Sequence, residues 1–417
     1  MPSLERNVDL YRWFRVASDG HAWIPVFFLY MNQSLPLNQV IQLSAVYYLS
    51  VFLLEVPSGY FSDRIGRRTT ILLAAGSLIL SYNCFIIGGQ FAWFALGQFF
   101  LAAGIAMQSG TDTAFHYDSL KALGREDEYA QREAAAEQWG LIMLAIATFA
   151  GGALGLIDLR LAYVFSLLSA CAMGVLAWHF KEPEHVTECA VAPKGFIRVL
   201  IDCILRLRDP VLGWIFALVV VLYALAHIVF EFYQPYISLL QLSIFDAGQY
   251  TALISGIVIG VSMFGGAVGA RVSMGLQSKL GLVGLMGVAS TIQIIIVAAM
   301  AMVIHPLVLI LVFARNFPMA LIHAPSRAAI VPRIDRDQRA TYLSLQGLSE
   351  RLVFALLLLV LASDLEPGAA VDVPELLGML SATSIIGIIA VIAIFLFSNK
   401  IRREFEERPS SPGTPEI

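Results

Sequence analysis

The chain has 417 residues, of which 58% are hydrophobic and 14% charged, with a mean hydropathy of +0.75. Soluble globular chains average about 45–50% apolar and about 25% charged residues, so this composition excludes an ordinary water-soluble domain and points to a bundle of lipid-solvated spans of about 20 residues each. The net charge of −4 says little by itself, because what counts in such a chain is how its charges divide across the membrane.

In chain order, apolar stretches cover residues 10–31, 38–61, 69–89, 91–117, 133–156 and 159–180, then 211–240, 247–273, 279–303, 306–328, 340–363 and 372–398. Each exceeds barrel-strand length, and backbone groups cannot go unpaired in hydrocarbon, so helices are predicted. With both termini on the cytoplasmic side, the inner loops and span ends collect nearly all of the 27 Lys and Arg; Arg160 alone falls outside, and Arg315 and Arg351 lie within spans. This asymmetry predicts an all-α membrane protein with twelve transmembrane helices, both ends cytoplasmic.

The longest polar connector, residues 181–210, divides the chain into halves at 1–180 and 211–399, leaving a tail at 400–417. Lys181, Lys194, Arg198, Arg206 and Arg208 alternate there with apolar residues, which suits a short helix lying on the inner surface. The tail is charged, then rich in Ser and Pro (Pro409, Ser410, Ser411, Pro412), and reads as disordered. The first apolar stretch is too long for a cleavable signal peptide and lacks a small-residue cleavage site. Glycines crowd the eighth span (Gly256, Gly260, Gly265, Gly266, Gly269), where small residues let backbones approach closely. Cys84, Cys171, Cys189 and Cys203 lack zinc spacing and read as free thiols; no metal, cofactor or phosphate-loop site is expected.

Between the second and third spans runs Gly59-Tyr60-Phe61-Ser62-Asp63-Arg64-Ile65-Gly66-Arg67-Arg68, led in by Glu55-Val56-Pro57. This segment resembles the signature loop of the major facilitator superfamily, G-x-x-x-D-[RK]-x-G-[RK]-[RK], at every defined position. The resemblance implies two six-helix halves and an inner gate formed by Gly59, Asp63, Arg64, Gly66, Arg67 and Arg68; the plainer alternative is that these basic residues only fix topology. The equivalent loop between spans eight and nine (Gly269, Arg271, Gly275, Lys279) keeps a trace of the motif. The fourth span reads Leu96-Gly97-Gln98 without the arginine of the R-x-x-Q-G pattern. The antiporter signature G-P-x-x-G-G is absent, since Gly151-Gly152 lack the proline.

A charge at a helix centre costs about 2.5–3.5 kcal/mol, so each intramembrane charge needs a partner, water or a purpose. By the resemblance, the first, fourth, seventh and tenth spans line a central cavity. Asp19 lies about 13 Å deep at the helical rise and is either a proton carrier or neutralised by Arg15, one turn earlier on the same face. His21 points elsewhere. In the seventh span His227, Glu231 and Gln234 share a face, flanked by Tyr233 and Tyr236, with Pro235 bending the helix. Arg315 and Asn316 sit in the tenth span. Glu231 and Arg315 are each about 13 Å deep, so an ion pair is expected between them, either as part of a cargo site or as a structural pair. Glu350 and Arg351 point apart and need separate partners. Asp112, His116 and Asp118 end the fourth span near the inner face and fit the gate, Asp118 as acceptor for the signature arginines.

The implied activity is secondary transport by alternating access rather than enzymatic chemistry. Proton-coupled export of small amphiphilic compounds is preferred, because the cavity helices are largely aromatic and aliphatic. Uptake of a small anion or zwitterion anchored by Arg315, or a transporter-like sensor, are the alternatives. Expected partners are a small-molecule substrate, protons and the lipid bilayer of the inner membrane, with no nucleic acid, the chain acting as a monomer.

Overall fold

The computed structural model describes residues 4–183, 204–240, 247–334, 339–365 and 372–401. The greater part of the connector and the tail beyond Ile401, for which a surface helix and disorder were expected, lie outside the described residues. The described elements are helices. In order they are α1 (Leu4–Ser18), α2 (Phe27–Asn32), α3 (Leu37–Ile65), α4 (Arg67–Ile87), α5 (Phe91–Gln108), α6 (Thr111–Lys121), α7 (Tyr129–Leu154) and α8 (Arg160–Trp178). After the connector come α9 (Pro210–Ser238), α10 (Ala247–Met302), α11 (Val308–Phe313), α12 (Phe317–Ile330), α13 (Arg339–Ser363) and α14 (Val373–Phe395).

Local chemistry sets the ends. Asp209 caps α9 by accepting from the amides of Val211 and Leu212, with Pro210 at the first helical position, where its missing N–H costs nothing. Asp372 caps α14 by accepting from Glu375 N at 2.9 Å. Between α3 and α4 the chain turns on Gly66 at φ +95, a backbone region that side-chain-bearing residues avoid.

Ten helices among the described residues are long and apolar enough to cross a membrane. Two departures from the expected elements explain why length and composition give ten rather than twelve. The first span is not one helix: residues 19–26 separate α1 from α2. The eighth and ninth spans are not divided by a loop, because helical pairing continues through Arg271 and Lys279 and only Gly281 leaves it, at φ 67 and ψ 172. Reading α1 with α2 as one crossing, and α10 as two meeting at Gly281, is the interpretation that restores twelve.

Two further spans are interrupted. The fourth divides into α5 and α6 at Ser109 and Gly110, and the tenth into α11 and α12 at residues 314–316. The two halves pack through α3 against α13, α7 against α10, and α9 against α2. The contact of α7 with α10 is backbone-close: a β-carbon on Gly256 would lie 2.8 Å from the Thr148 carbonyl oxygen, so only glycine permits this approach.

Candidate functional site

A cavity of about 300 Å³ lies between the halves. Its wall is largely aromatic, with Trp23 and Phe27 from the broken first span, Tyr47 and Tyr48 from α3, and Tyr223 and Phe230 from α9. The rings brace one another. Phe27 stacks on Phe230 at 5.5 Å, Tyr48 meets Phe354 edge-on at 4.8 Å, and the His227 ring stacks on Tyr223 at 3.7 Å. Polar groups enter this wall sparsely: His21, Ser44, Gln98, His227, Glu231 and Arg351. His227 Nδ1 lies 3.0 Å from the Tyr223 carbonyl, which can only accept, so that nitrogen carries the proton. The buried Glu231 carboxylate accepts from the Ser44 hydroxyl of α3, linking the halves. An apolar, ring-lined cavity with a few placed polar groups is the usual make-up of a small-molecule site.

A second polar centre gathers on the first half. The Arg15 guanidinium reaches Asp112 at 2.9 Å, Glu137 at 2.8 Å and Asp19 at 3.4 Å. Beside it, His116 Nδ1 lies 2.6 Å from Glu133, and Tyr11 stacks on the His116 ring at 3.9 Å while donating to Glu133 at 3.2 Å. The carboxylates here outnumber the arginine, and α1, α6 and α7 are bound together by them.

At the signature loop, Arg67 Nε lies 2.6 Å from Asp118 Oδ2. The amides of Arg67 and Arg68, at the start of α4, donate to the two oxygens of Glu182 at 2.7 and 2.8 Å. A carboxylate at a helix N-terminus satisfies orphan donors and meets the positive end of the helix dipole. Arg68 also donates to the Trp178 carbonyl at 2.9 Å and lies over that indole. Gly66 is required twice, by its φ and because a β-carbon there would lie 2.9 Å from the Glu182 carboxyl carbon.

Residues 17–358 match the Major Facilitator Superfamily. The chain belongs to this family. No curated protein matches it. Among solved structures, a variant of the nucleoside transporter NupG superposes with a TM-score of 0.77 at 12% identity, covering 94% of this chain and 99% of that one. A bacterial homologue of the human lysosomal transporter Spinster, inward-facing and occupied, gives 0.66 at 16% identity over 98% of both chains. The peptide-family transporter PepTSo gives 0.67 at 13% identity, with 97% and 99% covered. At these identities the likeness is one of fold; it is the family match over residues 17–358 that makes the chain a multi-pass membrane transporter of the facilitator type.

On this facilitator scaffold the sequence-derived site residues divide. His227 and Glu231 line the cavity with Arg351, whose guanidinium pairs with Glu55 of α3. Glu350 is separate and accepts from Gln346 at 3.1 Å. The expected Glu231–Arg315 pair is not formed: among the described residues no ion pair joins them, and Glu231 takes Ser44 instead. The reason is helical. Arg315 lies over the Phe230 ring at 5.0 Å, and neighbouring residues on a helix point about 100° apart, so Glu231 faces elsewhere. Asn316 donates to Ser262 at 3.3 Å.

Tyr233, Gln234 and Tyr236 do not line the cavity; they fasten one of its ends. Gln234 accepts from the amides of Phe28 and Leu29 at 3.1 and 3.3 Å, the open first turn of α2, and donates to Ile24 O at 3.0 Å. Tyr233 accepts from Gln234 and donates to Ile24 O at 3.4 Å, while Tyr236 donates to Val303 O at 2.6 Å. Asp19 stands with Arg15, and His21 turns into the cavity with Nδ1 3.3 Å from the Tyr82 hydroxyl. Arg64 is exposed at the end of α3; Gly59 and Asp63 lie within the same helix. The sequence reading missed Glu133, Glu182, Ser44 and the aromatic pair Tyr47–Tyr48 as site components. A signal existed for Glu182, an acid directly after the sixth span on the same side as the signature arginines.

Proposed function

We propose that this chain is a secondary transporter that exports small amphiphilic compounds across the inner membrane, driven by protons, with the two halves rocking about the central cavity. The observation that carries the reading is the cavity itself, set between the halves and walled by rings with few polar groups. Such a wall favours a compact cargo with an apolar body. Proton coupling is supported by the Arg15 centre, where Asp19, Asp112 and Glu137 face one guanidinium on a broken helix. Carboxylates within membrane spans, as Asp19 is read to be, mark proton relays in pumps and transporters.

In this reading Asp19 carries the coupling proton, and the signature loop with Asp63, Arg64, Arg67, Arg68 and Asp118 latches the cytoplasmic face. The units are a first half at 1–180, a connector at 181–210, a second half at 211–399 and a short tail. The test is purified protein in liposomes under an imposed pH gradient, with cargo-dependent proton movement read by a trapped dye across a panel of small amphiphiles. Wild type moves protons with at least one cargo. Asp19→Asn binds that cargo but loses the response to the gradient, and Asp63→Asn inserts normally but loses most transport. An unchanged gradient response in Asp19→Asn removes the coupling assignment.

A further inference from the structure

The fourth and tenth spans hold corresponding places in the two halves, and both are interrupted. Interrupted helices in corresponding positions are where facilitators and related carriers place ligand-facing groups. Each interruption here comes with a charge: Asp112 two residues past Gly110, and Arg315 within the break between α11 and α12. The first charge is answered inside the protein, by Arg15 at 2.9 Å. The second is not. Arg315 is 7% exposed, its Nε is buried with no acceptor, and among the described residues no carboxylate, carbonyl or hydroxyl accepts from its guanidinium.

A guanidinium has five donors and does not shed its proton in proteins, so it cannot escape burial by neutralising itself. A buried charge without a partner is strongly unfavourable, and among the described residues Arg315 has the face of Phe230 at 5.0 Å, with Tyr48 and Tyr233 in electrostatic reach. Phe230 lines the cavity. The unanswered cation thus rests on a ring that belongs to the wall of the space assigned to cargo. The other charges on that wall are engaged, Arg351 with Glu55 and Glu231 with Ser44.

We propose that the cargo bears a carboxylate, and that on binding this group displaces the Phe230 ring and pairs with Arg315, while the apolar body stays among Trp23, Phe27 and Tyr48. The inference rests on the cavity being the cargo site. It narrows the amphiphile to an organic acid. Phe230 is the cover of the subsite: it shields the cation in the empty carrier and gives way to a better partner, since a bidentate carboxylate exceeds a ring face in strength.

The probes are benzoate, phenylacetate and hexanoate, each beside its neutral amide, added to detergent-purified full-length protein with melting temperature and tryptophan quenching as readouts. In wild type at least one acid raises the melting temperature above its amide, as a ligand of the folded state must. Arg315→Gln weakens that acid on the order of tenfold to a hundredfold and leaves amide binding unchanged. Arg315→Lys keeps part of the preference, and Phe230→Ala binds the acid at least as tightly as wild type. Without ligand, Arg315→Gln melts no lower than wild type.

Equal binding of every acid and its amide by wild type overturns the proposal, as does an acid preference that survives Arg315→Gln. A large drop in the unliganded melting temperature of Arg315→Gln also overturns it, because Arg315 would then have a partner in the protein. These readouts need no gradient. Loss of the acid preference therefore leaves the transport reading standing, and failure of proton-coupled transport in liposomes leaves the acid preference intact.

Discussion

Arg15 Nη1 lies 2.9 Å from Asp112 Oδ2, two residues 97 positions apart that join α1 to α6 near the break in the fourth span. The same guanidinium holds Glu137 of α7 and Asp19 at the end of its own helix. This centre ties α1, α6 and α7 of the first half together, and its members are unequal: Asp112 is buried, while Glu137 is largely exposed.

Arg15→Gln leaves three carboxylates facing one another without a cation and should cost about 3–5 kcal/mol, the range for breaking one side of a buried ion pair. Asp112→Asn should cost less, because Arg15 retains two acceptors. Combining the two changes should recover part of the Arg15→Gln loss. Thermal unfolding of the purified variants checks this order, and simple addition of the single losses would show that the residues do not interact.

Gly66→Ala is expected to destabilise by about 1–3 kcal/mol, since φ +95 is strained for alanine and the new β-carbon meets the Glu182 carboxylate. Glu182→Ala removes the cap on Arg67 and Arg68 and should cost about 1 kcal/mol. In the Glu182→Ala background the Gly66→Ala penalty should shrink but not vanish, because only its steric part is relieved. Melting temperatures of the four proteins give the comparison.

Gln234→Ala should loosen the end of the cavity that α9 and α2 close, as it leaves the amides of Phe28 and Leu29 without their acceptor. In a cysteine-free background carrying Ile105→Cys, which lines the cavity, an impermeant maleimide added at that end should label several-fold faster in the Gln234→Ala protein. Equal rates would mean that the closed end does not depend on this side chain.

Because Glu231 and Arg315 point to different partners, Glu231→Gln and Arg315→Gln should act additively on stability, within about 0.5 kcal/mol. A double-mutant cycle on melting measures the coupling. A coupling of several kcal/mol would place the two charges in contact in the dominant state of the protein.

Much of the site was legible in the sequence, and the rest was hidden for identifiable reasons. Arg15 and Asp19 could be paired from the helical repeat, and Asp118 could be matched to the signature arginines, because short-range geometry and a defined motif constrain both. Glu231 and Arg315 could not be related from depth alone. Depth fixes a residue's height on a helix, whereas rotation about the axis decides whom it meets, and packing sets that rotation. Gln234 was read by spacing on one face with His227 and Glu231, flanked by Tyr233 and Tyr236, yet the partners of these three are the backbone of α2, of the segment before it and of the turn before α11, which no pattern in the seventh span encodes.

The sequence by itself determined that the chain is helical, that it lives in lipid and which superfamily loop it carries. Those features rest on composition, span length and a contiguous motif, all of them local. Only the tertiary structure decided where the helices break, at residues 19–26, 109–110 and 314–316, and which charges are answered. A break spares an apolar helix only if neighbouring helices satisfy the freed backbone groups, and a buried charge is settled only by what the fold brings within reach. That is why Arg15 and Arg315, two arginines of apolar stretches, ended differently: one holds three carboxylates, and the other rests against the ring of Phe230.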